Sequence, residues 1–133
     1  MELVSTFFAD QALMKHSPRD TLRVVRVLLE DPLLWAQNSR ARDAQGRKVR
    51  PNDPSAVCWS LNGAIAIASN VRAITPPSLL RFLDSIVREW GMVAPVWEGD
   101  PKVWETCDDF NDQRPHRFIL ALLDEAIARL ENA

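Results

Sequence analysis

Cysteine is scarce in this chain. Cys58 and Cys107 are the only two, too few for the disulfide framework of a small secreted domain. Cys58 also sits in an apolar run, so the expectation is a reduced, cytoplasmic protein. The opening residues, Met1 to Asp10, lack a basic stretch followed by a long apolar core, and a signal peptide is not expected. No apolar run approaches the length that crosses a bilayer. Charge of one sign is also missing. Sixteen Lys and Arg against eighteen Asp and Glu give a net charge of −2. That excludes a generally basic nucleic-acid binder, and it is too small for a polyanionic mimic of DNA. Tyrosine is absent, whereas tryptophan occurs five times. There are no internal repeats and no low-complexity tracts.

What is present is ordinary for a globular chain: 133 residues, 47% hydrophobic and 26% charged. The length suits one domain, residues 1–133, able to bury about two-thirds of its unfolded surface. Val4, Phe7, Phe8 and Leu13 suggest a first helix between Leu3 and Lys15. Ser17-Pro18-Arg19-Asp20 is a stronger start signal, with a capping hydroxyl, proline at the first helical position and an acid in the first turn. Leu22, Val25, Leu28 and Leu29 continue it at helical spacing. Pro32 stops it near Glu30, and Leu33 to Trp35 read as a short buried turn. Asp43-Ala44-Gln45-Gly46 fits a type I turn with a glycine bulge, which predicts a small β-hairpin.

The run from Asp53-Pro54 to Ser69 opens with a cap signal and is then apolar on nearly every face. This predicts a buried central helix over Pro54 to Ser69. Gly63 within it suggests close approach of another helix. A further helix starts near Thr75 to Ser78, carries the stripe Leu79, Phe82, Leu83, Ile86, Val87 and Trp90, and ends at Gly91. Met92 to Asp112 reads as irregular. The last helix begins near Arg114-Pro115, runs through Leu130, and is expected to pack on the central helix. The fold class expected is all-α: four to five helices around a buried central helix, with one small β-hairpin.

Trp35, then Ala41-Arg42-Asp43-x-x-Gly46, then Ala56-x-x-Trp59-Ser60-x-x-Gly63-Ala64, and finally Phe110-Asn111-Asp112 before an amphipathic helix form an ordered pattern over roughly Asp20 to Leu130. It resembles an uncharacterised family of small actinobacterial and bacteriophage proteins, a domain of unknown function. The resemblance implies a phage or prophage setting and no mechanism. Where the family pattern often has cysteine just after the tryptophan, this chain has Ser60, with Cys58 two positions earlier.

Four groups are candidates for chemistry or binding. Cys58, placed in the first turns of the expected central helix, would have its thiol favoured as thiolate by the dipole. His116 with Asn111 or Asp112 would complete a cysteine–histidine arrangement. A buried structural thiol is the simpler reading. Asp108, Asp109, Asn111, Asp112 and His116 form a dense set of oxygen ligands with one imidazole. Their spacing matches neither the calcium-loop nor a zinc signature, and capping of the last helix explains the same residue types. Arg40, Arg42, Arg47, Lys48 and Arg50 make the hairpin the one basic patch, without an interleaved aromatic for base stacking; a solvated hairpin that pairs with the acidic residues Glu98, Asp100, Glu105, Asp108, Asp109 and Asp112 is the simpler reading. Trp97 and Trp104 lie in the irregular segment, as core plugs or as partner contacts.

The functional expectation is therefore a small non-enzymatic cytoplasmic interaction protein, phage or prophage encoded. It would bind a host protein and modulate a bacterial process such as a defence system, with no membrane association. Its partner-binding residues would be Trp97, Trp104, Arg40, Arg42, Arg47 and Lys48. No catalytic residue, metal or cofactor is expected. The alternatives are a nucleic-acid-associated protein using the hairpin, and a small enzyme or ligand binder using Cys58 or the acidic segment.

Overall fold

The structure is a computed structural model that describes residues 16–70, 72–93 and 106–132. Five helices and one two-stranded antiparallel sheet follow in the order α1 (Pro18–Leu28), β1 (Ala41–Asp43), β2 (Ala56–Trp59), α2 (Leu61–Ser69), α3 (Pro77–Val93), α4 (Cys107–Gln113) and α5 (His116–Glu131). A 3-10 turn, Pro32–Leu34, lies between α1 and β1. The mostly helical fold with one small hairpin is as the sequence predicts. The expected helix over Leu3 to Lys15 falls outside the described residues.

Helix α1 begins where its start signal places it. Ser17 Oγ accepts from the Asp20 N–H at 3.2 Å, satisfying one of the free donors of the first turn. Leu22, Val25 and Leu29 face inward with no exposure. The 3-10 turn is capped by Asp31, whose carboxylate accepts from Leu33 N–H at 2.9 Å. Leu33 itself is 82% exposed rather than buried, because a single 3-10 turn cannot direct three successive side chains inward.

The central helix is shorter than expected. Asp53-Pro54 opens a turn, not a helix: the Asp53 carboxylate accepts from Ser55 N–H at 2.9 Å and from Ser55 Oγ at 2.7 Å, and Ala56 N–H returns to Asp53 C=O at 3.0 Å. Ala56–Trp59 then pairs with β1, in the register Ala41 with Trp59, Arg42 with Cys58 and Asp43 with Ala56, with a bulge between the last two pairs. A short apolar run satisfies a buried helix and a strand alike, so periodicity does not separate them. The cap of α2 is Ser60, whose Oγ accepts from Gly63 N–H at 3.1 Å. Seven of the nine α2 residues are buried, so this helix is the hub even at its reduced length.

The Asp43–Gly46 turn forms as predicted, with Gly46 at φ +78°, a conformation that favours glycine. Its return limb is not the main partner of β1. Residues Arg47 to Val49 add Asp43 N–H to Arg47 C=O at 2.9 Å, Val49 N–H to Ala41 C=O at 3.1 Å and a single bridge between Arg42 and Lys48. Strand β1 thus lies between this limb and β2.

Helix α3 carries the predicted stripe and continues through Gly91 to Val93. The end of the segment expected to be irregular forms α4. Thr106 caps it, accepting from Asp109 N–H at 3.1 Å, and Asp84 of α3 accepts from Cys107 N–H at 2.7 Å. Phe110 of α4 is fully buried and meets Trp90 edge-on, with centroids 5.8 Å apart. Helix α5 lies mainly against α1, and next against α3, rather than on α2. Arg26 to Asp124 at 2.9 Å, and an Arg23 to Glu131 pair, line the α1–α5 seam. Arg129 grips both oxygens of Glu89 at 2.9 and 3.0 Å across the α3–α5 seam. One core joins all five helices, including Leu61, Ala64 and Ile65 of α2 and Ile119, Leu122 and Leu123 of α5.

Candidate functional site

Asn111 stands where the strands, the 3-10 turn and two helices meet. The residue is 1% exposed, and its side chain bonds the Trp35–Ala36 segment, the start of α2 and its own neighbour Asp112. Oδ1 accepts from Trp35 Nε1 at 2.8 Å and from Leu61 N–H at 3.0 Å. Nδ2 donates to Ala36 C=O at 3.0 Å and to Asp112 Oδ1 at 3.1 Å. Leu61 N–H is one of the first-turn donors that α2 cannot satisfy internally. Asp112 Oδ1 in turn accepts from Asn38 N–H at 2.7 Å, where Asn38 holds φ 62°, a left-handed conformation that asparagine tolerates better than most residues. Gln37 Nε2 donates to the main-chain oxygens of Asn111 and Arg114 at 3.1 and 3.2 Å.

Gly63 locks the other side of this junction. A Cβ there would lie 2.8 Å from the carbonyl carbon of Arg40 and closer still to its oxygen. The close approach is therefore backbone against helix, not the helix against helix that the sequence suggests. Arg40 C=O also accepts from Ser60 N–H at 3.1 Å. Trp59 reaches across to Pro51, donating from Nε1 to its carbonyl at 2.8 Å. The motif residues Trp35, Trp59, Ser60, Gly63, Asn111 and Asp112 are spent on joining segments of chain.

That outcome decides the chemistry proposed for several of them. Cys58 lies in β2, opposite Arg42, not in a helix's first turn, and its Sγ faces Arg42 C=O at 4.0 Å. His116 points elsewhere: its Nε2 bonds Leu29 C=O, and its ring lies 5.5 Å from that of Trp35. The structure brings no Cys58–His116–Asn111 arrangement together in its bonding. Asn111 and Asp112 are inside α4 and do not cap α5, whose N-cap is Pro115 without a side-chain bond. Among the described residues no group of three or more His, Cys, Asp or Glu converges to hold a metal ion. Burial, with Asp112 and Asp84 nearby, pushes the Asp108 carboxyl above its ordinary value, although it accepts from Asn62 Nδ2 at 3.3 Å. Burial likewise pushes the Cys107 thiol up strongly, aided by Asp84 and Asp108.

The basic residues divide into held and free. Arg47 Nε donates to Asp43 Oδ2 at 2.8 Å. Burial raises the Asp43 carboxyl, but the Arg47 main-chain N–H and guanidinium, with the Gln45 N–H, outweigh it and hold it below the ordinary range. Arg42 is folded back inside the ribbon, donating to Gly46 C=O at 2.9 Å and Gln37 C=O at 3.2 Å. Arg40 is exposed and donates to Thr75 Oγ1 at 3.2 Å, and Thr75 continues to Asn62 Oδ1 at 2.5 Å. Lys48 and Arg50 are exposed. Trp97 and Trp104 lie outside the described residues.

Sequence reasoning missed Gln37, Asn38, Asn62 and Thr75, which are single polar residues with no spacing signal. It also passed over two caps, Ser60 inside the expected central helix and Thr106 in the segment expected to be irregular; Thr106-x-x-Asp109, with an acid at the third helical position, is a signal that could have found the second.

The fold and the junction together define a small, mostly helical protein whose β-ribbon is locked to its core by side chains of α4. Residues 14–129 match a family of unknown function, DUF6197, and the chain belongs to that family. Comparisons with curated proteins and with solved structures give no match. Among the described residues no helix is long and apolar enough to cross a membrane.

Proposed function

We propose that this is a small non-enzymatic interaction protein that binds another protein through its β-ribbon. What supports the reading is the division of labour at the junction. Asn111, Asp112, Ser60 and His116, four of the groups with the chemistry to act on a substrate, are committed to internal bonds. The ribbon beside them presents Arg40, Lys48 and Arg50 to solvent, together with Val57 at 44% exposure. Arginine is enriched where proteins meet, and an exposed aliphatic side chain on the same ribbon offers an apolar contact. The proposed partner is a host protein, and the proposed effect is modulation of a bacterial process such as a defence system; the resemblance to phage and prophage proteins is what suggests it.

The test is affinity capture with the full chain and with a Lys48→Glu/Arg50→Glu variant, followed by mass spectrometry. Among the described residues neither side chain takes part in an internal bond, so the variant is expected to keep the fold. The expected result is a host protein retained by the wild type, lost with the variant and insensitive to nuclease. A set of captured proteins identical for both, or one removed by nuclease, refutes the proposal.

A further inference from the structure

We propose that the ribbon's partner presents an acidic, extended segment with at least one apolar side chain, and that Arg40, Lys48 and Arg50 are the residues that read it. This rests on the protein-binding reading above and names the chemistry of the partner.

Charge complementarity carries the argument. Five cations lie between residues 40 and 50, against the single carboxylate of Asp43. Asp43 is 6% exposed and already paired with Arg47. Among the described residues, Arg40, Arg42, Lys48 and Arg50 have no carboxylate within ion-pair distance. A chain of net charge −2 therefore concentrates positive charge on one ribbon, where Asp108 of α4 acts on Arg40 through space and Lys48 and Arg50 meet no carboxylate within ion-pair distance among the described residues. The register sets its shape. Lys48 bridges to Arg42 from one side and Cys58 pairs with Arg42 from the other, so the three residues share a face of the ribbon. Val57, next to Cys58 in β2, is an exposed apolar side chain of the same ribbon, on the other side of β1 from Lys48.

The same geometry argues against nucleic acid. Arg42 has its fork turned onto two carbonyls and Arg47 onto Asp43, so neither is poised to grip phosphates bidentately. Three cationic heads remain, fewer than the roughly six to ten phosphate contacts that hold a duplex protein firmly. No aromatic residue lies between positions 38 and 52 to stack a base. Three heads and one aliphatic side chain match a short run of Asp or Glu carrying an apolar residue.

A random dodecapeptide display library panned on the immobilised full chain tests this, alongside fluorescence anisotropy with a short labelled DNA duplex. Selected peptides should be enriched in Asp and Glu. Their affinity should fall about tenfold or more in Lys48→Glu/Arg50→Glu, and it should be unchanged in Arg81→Glu, an exposed cation on α3. Salt should weaken binding, because it screens the exposed charge pairs. Selected peptides without acidic enrichment that still depend on the ribbon overturn this inference and leave the protein-binding proposal standing. Peptides whose binding survives the reversal, or no selected peptide at all, overturn it as well. Duplex binding tighter than any peptide, lost on reversal, overturns both.

Discussion

Replacing Asn111 with leucine tests the junction directly. The two side chains branch alike, but each methyl is larger than the oxygen or nitrogen it replaces, so the substitution removes the hydrogen bonds and adds some overpacking. Leu61 N–H and Ala36 C=O would then lose their partner in surroundings that water does not reach, since Leu61 is fully buried and Ala36 is 6% exposed. A buried polar group left without a partner costs about 1–3 kcal/mol. Two of them put the expected loss at about 2–6 kcal/mol. The Trp35 indole N–H loses its acceptor too, but Trp35 is half-buried and water can replace part of that bond. Such a loss is a large share of the roughly 5–15 kcal/mol by which a domain is stable. Urea unfolding followed by far-UV circular dichroism and by tryptophan fluorescence measures it. A loss below about 1 kcal/mol with an unchanged slope would refute the view that Asn111 holds the junction. Asn111→Asp sharpens the test. The introduced carboxylate would face Ala36 C=O and Asp112, both acceptors, so its pKa in the folded state would rise. A raised carboxyl pKa means that the folded state binds the extra proton, and stability falls as pH rises through the carboxylate range. This variant should therefore lose more relative to wild type at pH 7 than at pH 4.

Gly63→Ala should destabilise by about 1–3 kcal/mol or more, because the methyl group meets the Arg40 backbone, which cannot rotate away; an unchanged thermal melt refutes the close approach. Asp112→Ala removes the acceptor for Asn38 N–H and should cost about 0.5–2 kcal/mol in the same melt. Cys58 should react with a thiol reagent in the native protein, whereas Cys107, buried and with its thiol pushed up, should react only on unfolding; mass mapping of the labelled site checks both. Arg129 hydrogen-bonds Glu89 and keeps its carboxyl below the ordinary value, and Asp43 is also depressed. Their stabilisation is present above the unfolded carboxylate pKa and is lost as pH falls through the folded one, so an acid melt should steepen below about pH 4. Arg129→Met should flatten that response.

Helices α1, α3 and α5 were legible because each is long enough for its apolar stripe to repeat over several turns. Their caps, or the proline near each start, mark where they begin. The turn at Asp43–Gly46 was legible for a local reason as well: its aspartate and its left-handed glycine act within four residues of chain. Ala56 to Trp59 was not, since four apolar residues suit either a strand or a buried helix. Only pairing with Ala41–Asp43, a contact across the intervening loop, settles which forms. Asn111 shows the same division. The sequence marks it as a residue that caps something. Which backbone groups it satisfies depends on segments up to 76 residues away along the chain, and no spacing rule encodes that. Gly63 signals a close approach, but its partner is the Arg40 carbonyl, which has no side-chain identity to read. The sequence by itself determined the helical class, the apolar hub and the basic turn, because periodicity, caps and local charge are properties of neighbouring residues. Tertiary structure alone decided which polar groups are consumed in holding the ribbon and which cations stay free, because a hydrogen bond is specific to partners that only the folded chain brings within 3 Å.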